Sequence, residues 1–367
     1  HRVIWCNLIM FSFLRNLRID RISFWIGFAA ASLFWWLARR LSPRLGQAWK
    51  GVQKRLQSAQ RGLRASMKQR HSMDTLKHAQ GQHLAAPLFA LDEILIPPRL
   101  LAPPVILSPE ESPPTDDIVQ KAIPYMPNCP QLASIYGTDN LSVEEALQGG
   151  LNIAVVGPSG SGKTVTLAHL ASQAIRDELE LEDLQGRVPV LVHAANLTLP
   201  LEEDESLLHP FADAVAIYSS ALSRPRLPQY IQSVFTAGRA LLLVDGLDEL
   251  PPDSLEQTVN YLGEVLEQYP QVRAVVAADA DHLDRLPQLG FVPLSMAWWQ
   301  RKEQAQFAKQ WAQIWTEAID QQVEEQQEEN YVYIDPLILN GWMLPQAGVL
   351  SPMEFSLQIW AAYAGDG

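Results

Sequence analysis

Residues 151–164, LNIAVVGPSGSGKT, constrain the fold of this chain more than any other stretch. Leu151, Ile153, Ala154, Val155 and Val156 form a short apolar run between Gly149-Gly150 and Gly157, the pattern of a strand buried on both faces. The pattern G-x-x-x-x-G-K-T follows at once. Gly157, Pro158, Ser159, Gly160, Ser161 and Gly162 form a loop whose backbone N–H groups can crowd around phosphate oxygens, at the positive end of the helix that Lys163 opens. Lys163 is placed to reach the β- and γ-phosphates of a nucleotide, and Thr164 to offer its hydroxyl to Mg²⁺. The stretch therefore predicts a strand, a phosphate-binding turn and a helix in that order.

A second stretch completes the chemistry. Residues 240–250, ALLLVDGLDEL, begin as a buried strand and end on Asp245, Asp248 and Glu249. A carboxylate at the end of a strand beside a phosphate loop can hold the water shell of Mg²⁺, which assigns Thr164 and Asp245 to the metal. A further carboxylate can orient the attacking water, a role given to Glu249 with Asp248 in support. Three acids in five residues repel one another unless a cation stands between them.

The net charge of −13 hides an asymmetry: residues 39–73 hold ten Lys or Arg and no acid. The acidic main body is thereby a poor nucleic-acid binder. Just ahead of the basic stretch, Ile22 to Ala38 is an uncharged run of seventeen residues flanked by Asp20-Arg21 and Arg39-Arg40. As a helix it measures about 26 Å against a hydrocarbon core of about 30 Å, a shortfall that snorkelling arginines can absorb. Trp25, Trp35 and Trp36 lie near its ends, where indole favours the membrane interface. The run is read as a transmembrane helix over residues 22–38. The positive stretch after it places the rest of the chain in the cytoplasm, and Cys6 and Cys129, too few for a disulfide framework, fit a reducing compartment.

Leu45, Trp49, Val52, Leu56, Ala59, Leu63 and Met67 recur at spacings of four and three, one apolar stripe on a basic helix assigned to residues 41–84. That stripe can face anionic lipid or a second copy of itself. Residues 85–130 are proline-rich and read as an extended linker with short ordered pieces. The globular part is expected to begin around Asp116 to Ile135, with the ATPase domain at 131–297 and an incomplete helical region at 298–367. Helices are read near 165–179, 205–222, 227–237, 300–323 and 351–364, and a strand at Pro189 to Ala194. His193 on that strand is read as structural. A start at His1 and an end soon after a helical pattern read as a piece of something longer.

The loop GPSGSGKT together with LLLVDGLDEL resembles the NACHT group of STAND signalling ATPases, from about Pro130 to the end of the chain. The DGLDE stretch is the more specific of the two motifs. The resemblance implies an α/β P-loop NTPase fold, with a five-stranded parallel sheet flanked by helices and the strand Val272 to Ala278 inserted between the two motif strands. It implies ATP and Mg²⁺ as ligands, and a switch between closed and assembled forms with ATP or ADP. It also implies that Pro336, by its position, touches the adenine. The chain departs from the family at Asp279, where an arginine that senses nucleotide state is expected; an acid there predicts slow hydrolysis. The function expected is a membrane-anchored, self-associating ATP switch. Two alternatives stay open at this point: an ATP-driven motor or transport subunit acting on a membrane partner, and a nucleotide-bound scaffold that never turns over.

Overall fold

A computed structural model describes residues 67–101, 140–201, 205–283, 285–326 and 350–364. In chain order the elements are α1 (Met67–Gln80), α2 (Leu91–Ile94), β1 (Arg99–Leu101), β2 (Asn140–Ser142), α3 (Val143–Ala146), β3 (Asn152–Val156), α4 (Lys163–Arg176), β4 (Val188–His193), α5 (His209–Tyr218), α6 (Leu227–Thr236), β5 (Ala240–Asp245), α7 (Pro252–Gln268), β6 (Arg273–Ala278), β7 (Phe291–Ser295), α8 (Arg301–Gln326) and α9 (Pro352–Ala364). The expected membrane span at 22–38, most of the basic helix at 41–84, and Pro336 lie outside the described residues. Among the described residues no helix is long and apolar enough to cross a membrane.

Five strands form one sheet in the order β4-β5-β6-β3-β7, and every pairing is parallel. This is the expected architecture, with β6 between β3 and β5, the two strands that carry the motifs. Because strand side chains alternate between faces, each strand feeds two cores. Ala154, Val156, Val190, Val192, Leu242, Val244 and Val276 pack toward α5, α6 and α7. Ile153, Val155, Leu191, Leu241, Leu243, Val275 and Ala277 pack toward α4. All six residues of β5 are buried, so the strand is apolar until its last position, where Asp245 meets the open edge of the sheet. The fifth strand, β7, is one that sequence periodicity does not single out. It pairs only with β3 and carries Pro293, which an edge strand tolerates because one side needs no ladder hydrogen bond.

The packed body reaches further toward the N-terminus than the sequence indicates. Helix α1, the described end of the basic segment, lies on α4 and β4. Its buried face is His71, Thr75 and Ala79. His71 Nε2 donates to the Pro189 carbonyl at 2.9 Å, and His78 stacks on Tyr218 at 4.1 Å. Asp74 accepts from the Ser220 N–H and from the hydroxyls of Ser220 and Ser223. The first part of the proline-rich segment is ordered too. Pro87, Pro97 and Pro98 separate short pieces, and Phe89, Leu91, Ile94 and Ile96 between them are buried while Leu88 is exposed. Prolines forbid a long helix there but do not stop short pieces from packing.

Those pieces build a third core with the helical region. Phe89, Ile94 and Ile96 meet Phe307 and Trp311 of α8 and Phe355 and Ile359 of α9. Full burial of such side chains is worth about 1.5–3 kcal/mol each, enough to seat α8 and α9 against the segment that precedes the sheet. Helix α9 starts with a capping box: the Ser351 N–H donates to Glu354 at 2.8 Å and the Glu354 N–H to the Ser351 hydroxyl at 3.2 Å.

Candidate functional site

The phosphate loop forms as its sequence requires, at the carboxyl end of β3 and the start of α4. Gly160 and Gly162 take φ of 78° and 98°, conformations that side chains with a Cβ rarely adopt, and Gly162 caps α4. Gly157 is needed for space, since a Cβ there would stand 2.6 Å from the Ser161 hydroxyl. Lys163 runs back under the loop, where its Nζ donates to the Gly157 carbonyl at 2.6 Å and lies 3.1 Å from an Asp248 carboxylate oxygen. Both side chains are nearly buried, with 8% and 12% exposure. A phosphate entering the loop would offer the ammonium charge-assisted bonds in place of these contacts.

The acids of β5 and the turn after it do not converge on one point. Asp245 is buried, and that burial pushes its carboxyl above the usual range, against the pull of the Thr164 hydroxyl, His193 and the Gly246 N–H. Asp248 is paired with Lys163, and Glu249 faces His193. The three acids are kept apart by separate partners within the protein: the Thr164 hydroxyl for Asp245, Lys163 for Asp248 and His193 for Glu249. The Thr164–Asp245 pair nevertheless fits Mg²⁺, which takes one or two protein oxygens and completes its shell with water and phosphate. Among the described residues, no cluster of three or more His, Cys, Asp or Glu stands ready for a metal.

His193 is the site residue that sequence reasoning passed over. It ends β4 directly opposite Asp245 in the β4–β5 register. Its Nδ1 accepts from the Ala195 N–H at 3.3 Å, which leaves the proton on Nε2, and Nε2 stands 3.4 Å from Glu249. The ring lies so close over Gly246, itself at φ 73°, that a Cβ there would come within 2.4 Å of it. The signal was available: a polar residue closing an apolar strand, next to the strand with the acids.

The loop and the acids open into a cavity of about 460 Å³, the size of a small-molecule site. Ser159 to Thr164, Asp245, Asp248 and Glu249 line one end. The other end is apolar, made by Leu91, Ile94, Ile96, Trp299, Phe307 and Trp311. Met353 and Pro352, at the start of α9, close the side. Here the Met353 N–H donates to the Gly160 carbonyl at 3.1 Å, so the last helix touches the crest of the phosphate loop. Asp279 directly follows β6, between the motif strands, and is not among the residues lining the cavity.

No curated protein matches the chain. Residues 146–286 match the family model described as an AAA domain, a span that runs from just ahead of β3 to just short of β7. Parallel sheet, loop and acids agree with that match, and this part of the chain is a P-loop NTPase domain.

Proposed function

We propose that the chain is an ATP-governed switch of the NACHT type, held at a membrane by its N-terminal segment and slow to hydrolyse ATP. In this reading Gly157 to Thr164 hold the phosphates, Thr164 and Asp245 bind Mg²⁺, and Glu249 orients the attacking water with Asp248 in support. The observation that carries it is the contact between α9 and the phosphate loop, the Met353 N–H on the Gly160 carbonyl. Because the cavity is walled by the loop on one side and by α8 and α9 on the other, a nucleotide in it touches both bodies at once. A ligand shifts a conformational equilibrium only through unequal contacts with its two states, and this site offers such contacts. The pairing of Glu249 with His193 supports slow turnover, since a carboxylate engaged elsewhere is not aimed at water. The DGLDE stretch and the apolar run at 22–38 support the NACHT and membrane parts of the reading.

The test uses the full chain in vesicles. It should remain bound through a high-salt wash, because burial of apolar area is not screened. Its assembly state, read by chemical crosslinking, should differ between Mg·ATP and Mg·ADP, with turnover below about 1 per second, the low end of ordinary enzymes. Release by salt would remove the membrane span. An identical assembly state in both nucleotides, together with fast turnover, would favour a motor instead.

A further inference from the structure

The three most exposed large apolar side chains among the described residues belong to two segments that are tied together. Met73 is 71% exposed, Leu222 64% and Ile217 60%. Met73 stands on the outer side of α1, away from the buried His71 and Thr75, with the exposed Lys77 one turn beyond it. Ile217 ends α5, and Leu222 lies in the turn between α5 and α6. That turn is bound to α1: Asp74, next to Met73, accepts from Ser220 and Ser223, which bracket Leu222. His78, next to Lys77, stacks on Tyr218, next to Ile217. The same surface is basic on an acidic protein. The chain has 41 acids against 28 Lys and Arg, yet no acid falls between Thr75 and Leu91 or between Ala214 and Val244. Those stretches expose Lys77, Arg224 and Arg226, and Arg224 is steadied by its Nε on the Ser219 carbonyl at 3.2 Å. The acids at the borders are engaged, Asp74 with the two serines and Asp213 with His209 at 3.1 Å.

We propose that this face, the outer side of α1 with the α5–α6 turn, docks on an anionic lipid surface. Met73, Ile217 and Leu222 enter the headgroup layer, and Lys77, Arg224 and Arg226 meet the headgroup phosphates and carboxylates. This rests on the membrane part of the reading above and adds how the ATPase body sits on the bilayer. Aliphatic side chains interleaved with basic ones are what a lipid interface takes, since it offers apolar depth and negative charge at once. A nucleic-acid backbone would use the charges and leave three aliphatic side chains in water. The chain itself leads the face to lipid: α1 follows directly on the basic segment, and from residue 39 to residue 73 there are ten Lys or Arg and no acid.

The experiment follows amide hydrogen exchange of the full chain in vesicles of phosphatidylcholine, alone or mixed with phosphatidylserine. The anionic lipid should slow exchange several-fold in residues 67–80 and 217–226 and leave α7 unchanged. Arg224→Gln together with Arg226→Gln should remove most of that difference, since each basic side chain at such a surface is worth about fivefold in affinity. Leu222→Ser, at an exposed position, should reduce it through the apolar contact while the charges stay. Equal exchange in the two kinds of vesicle, or a difference that survives the paired arginine substitutions, would overturn the proposal. So would protection of the same residues that needs no anionic lipid and grows with protein concentration, which would give the face to a second copy of the chain. The span and the docking face fail separately. Retention through a high-salt wash without lipid-dependent protection would keep the span and remove the docking face, whereas release by salt with protection at low salt would do the reverse.

Discussion

The two ends of the cavity are built in opposite ways. The phosphate end comes from two unbroken stretches, Gly157 to Thr164 and Asp245 to Glu249, each at the carboxyl end of a parallel strand. Its working groups are backbone N–H groups, one lysine and a few carboxylates, and charge is what it recognises. The apolar end comes from three distant pieces: the segment around Leu91 to Ile96, helix α8, and the start of α9. Its lining is mostly rings and aliphatic side chains, with Gln82, His83 and Ser356 as polar members. The first end can be assembled by local rules, because strand, turn and helix follow in sequence. The second exists only after α8 and α9 have docked on the segment ahead of the sheet. For the proposed nucleotide it follows that phosphate binding should survive loss of the helical region, whereas base binding should not.

The largest effect should come from Lys163→Ala. Lys163 is the fixed cation of the phosphate loop, and its removal should weaken Mg·ATP and triphosphate alike, by about a hundredfold or more. Equal loss for both ligands is the point of the measurement. A variant that lost ATP but kept triphosphate would mean that the two ends are not separable in the way described.

A smaller effect is expected at His193, which meets the phosphate end through Glu249, Gly246 and the neighbouring Asp245. His193→Ala should leave ATP affinity within about twofold and raise single-turnover hydrolysis several-fold, since Glu249 is then free to turn toward the attacking water. Quenched-flow measurement of phosphate release would show it. A fall in rate would mean that His193 aims Glu249 at the water rather than holding it away.

How much of this was legible in the sequence follows from the same contrast. The phosphate loop and the acids could be read, since each depends on residues adjacent in the chain, whereas the five-stranded parallel sheet and the place of β6 came only through the family resemblance. The partners of those acids could not: Lys163 and Asp248 are far apart in sequence, and only the fold brings them to 3.1 Å. The short strand β7 was hidden by its proline. Helix α1 looked like a basic surface helix because its buried side uses His71 and Thr75, polar residues whose burial no hydrophobic pattern announces. Trp311 sat within a readable apolar stripe of α8, yet nothing local distinguishes a core tryptophan from one that lines a cavity. Pro336, the sequence candidate for the adenine contact, lies outside the described residues.

In the proposed switch one nucleotide joins the two ends. Amide hydrogen exchange of the full chain, with and without Mg·ATP, tests it most directly, because exchange reports local opening segment by segment. ATP should slow exchange in residues 157–164, in 82–98 and in 352–364 together, while triphosphate should slow it in 157–164 alone. Protection confined to 157–164 with ATP bound would contradict it, and would leave α9 as a neighbour of the phosphate loop with no part in nucleotide binding.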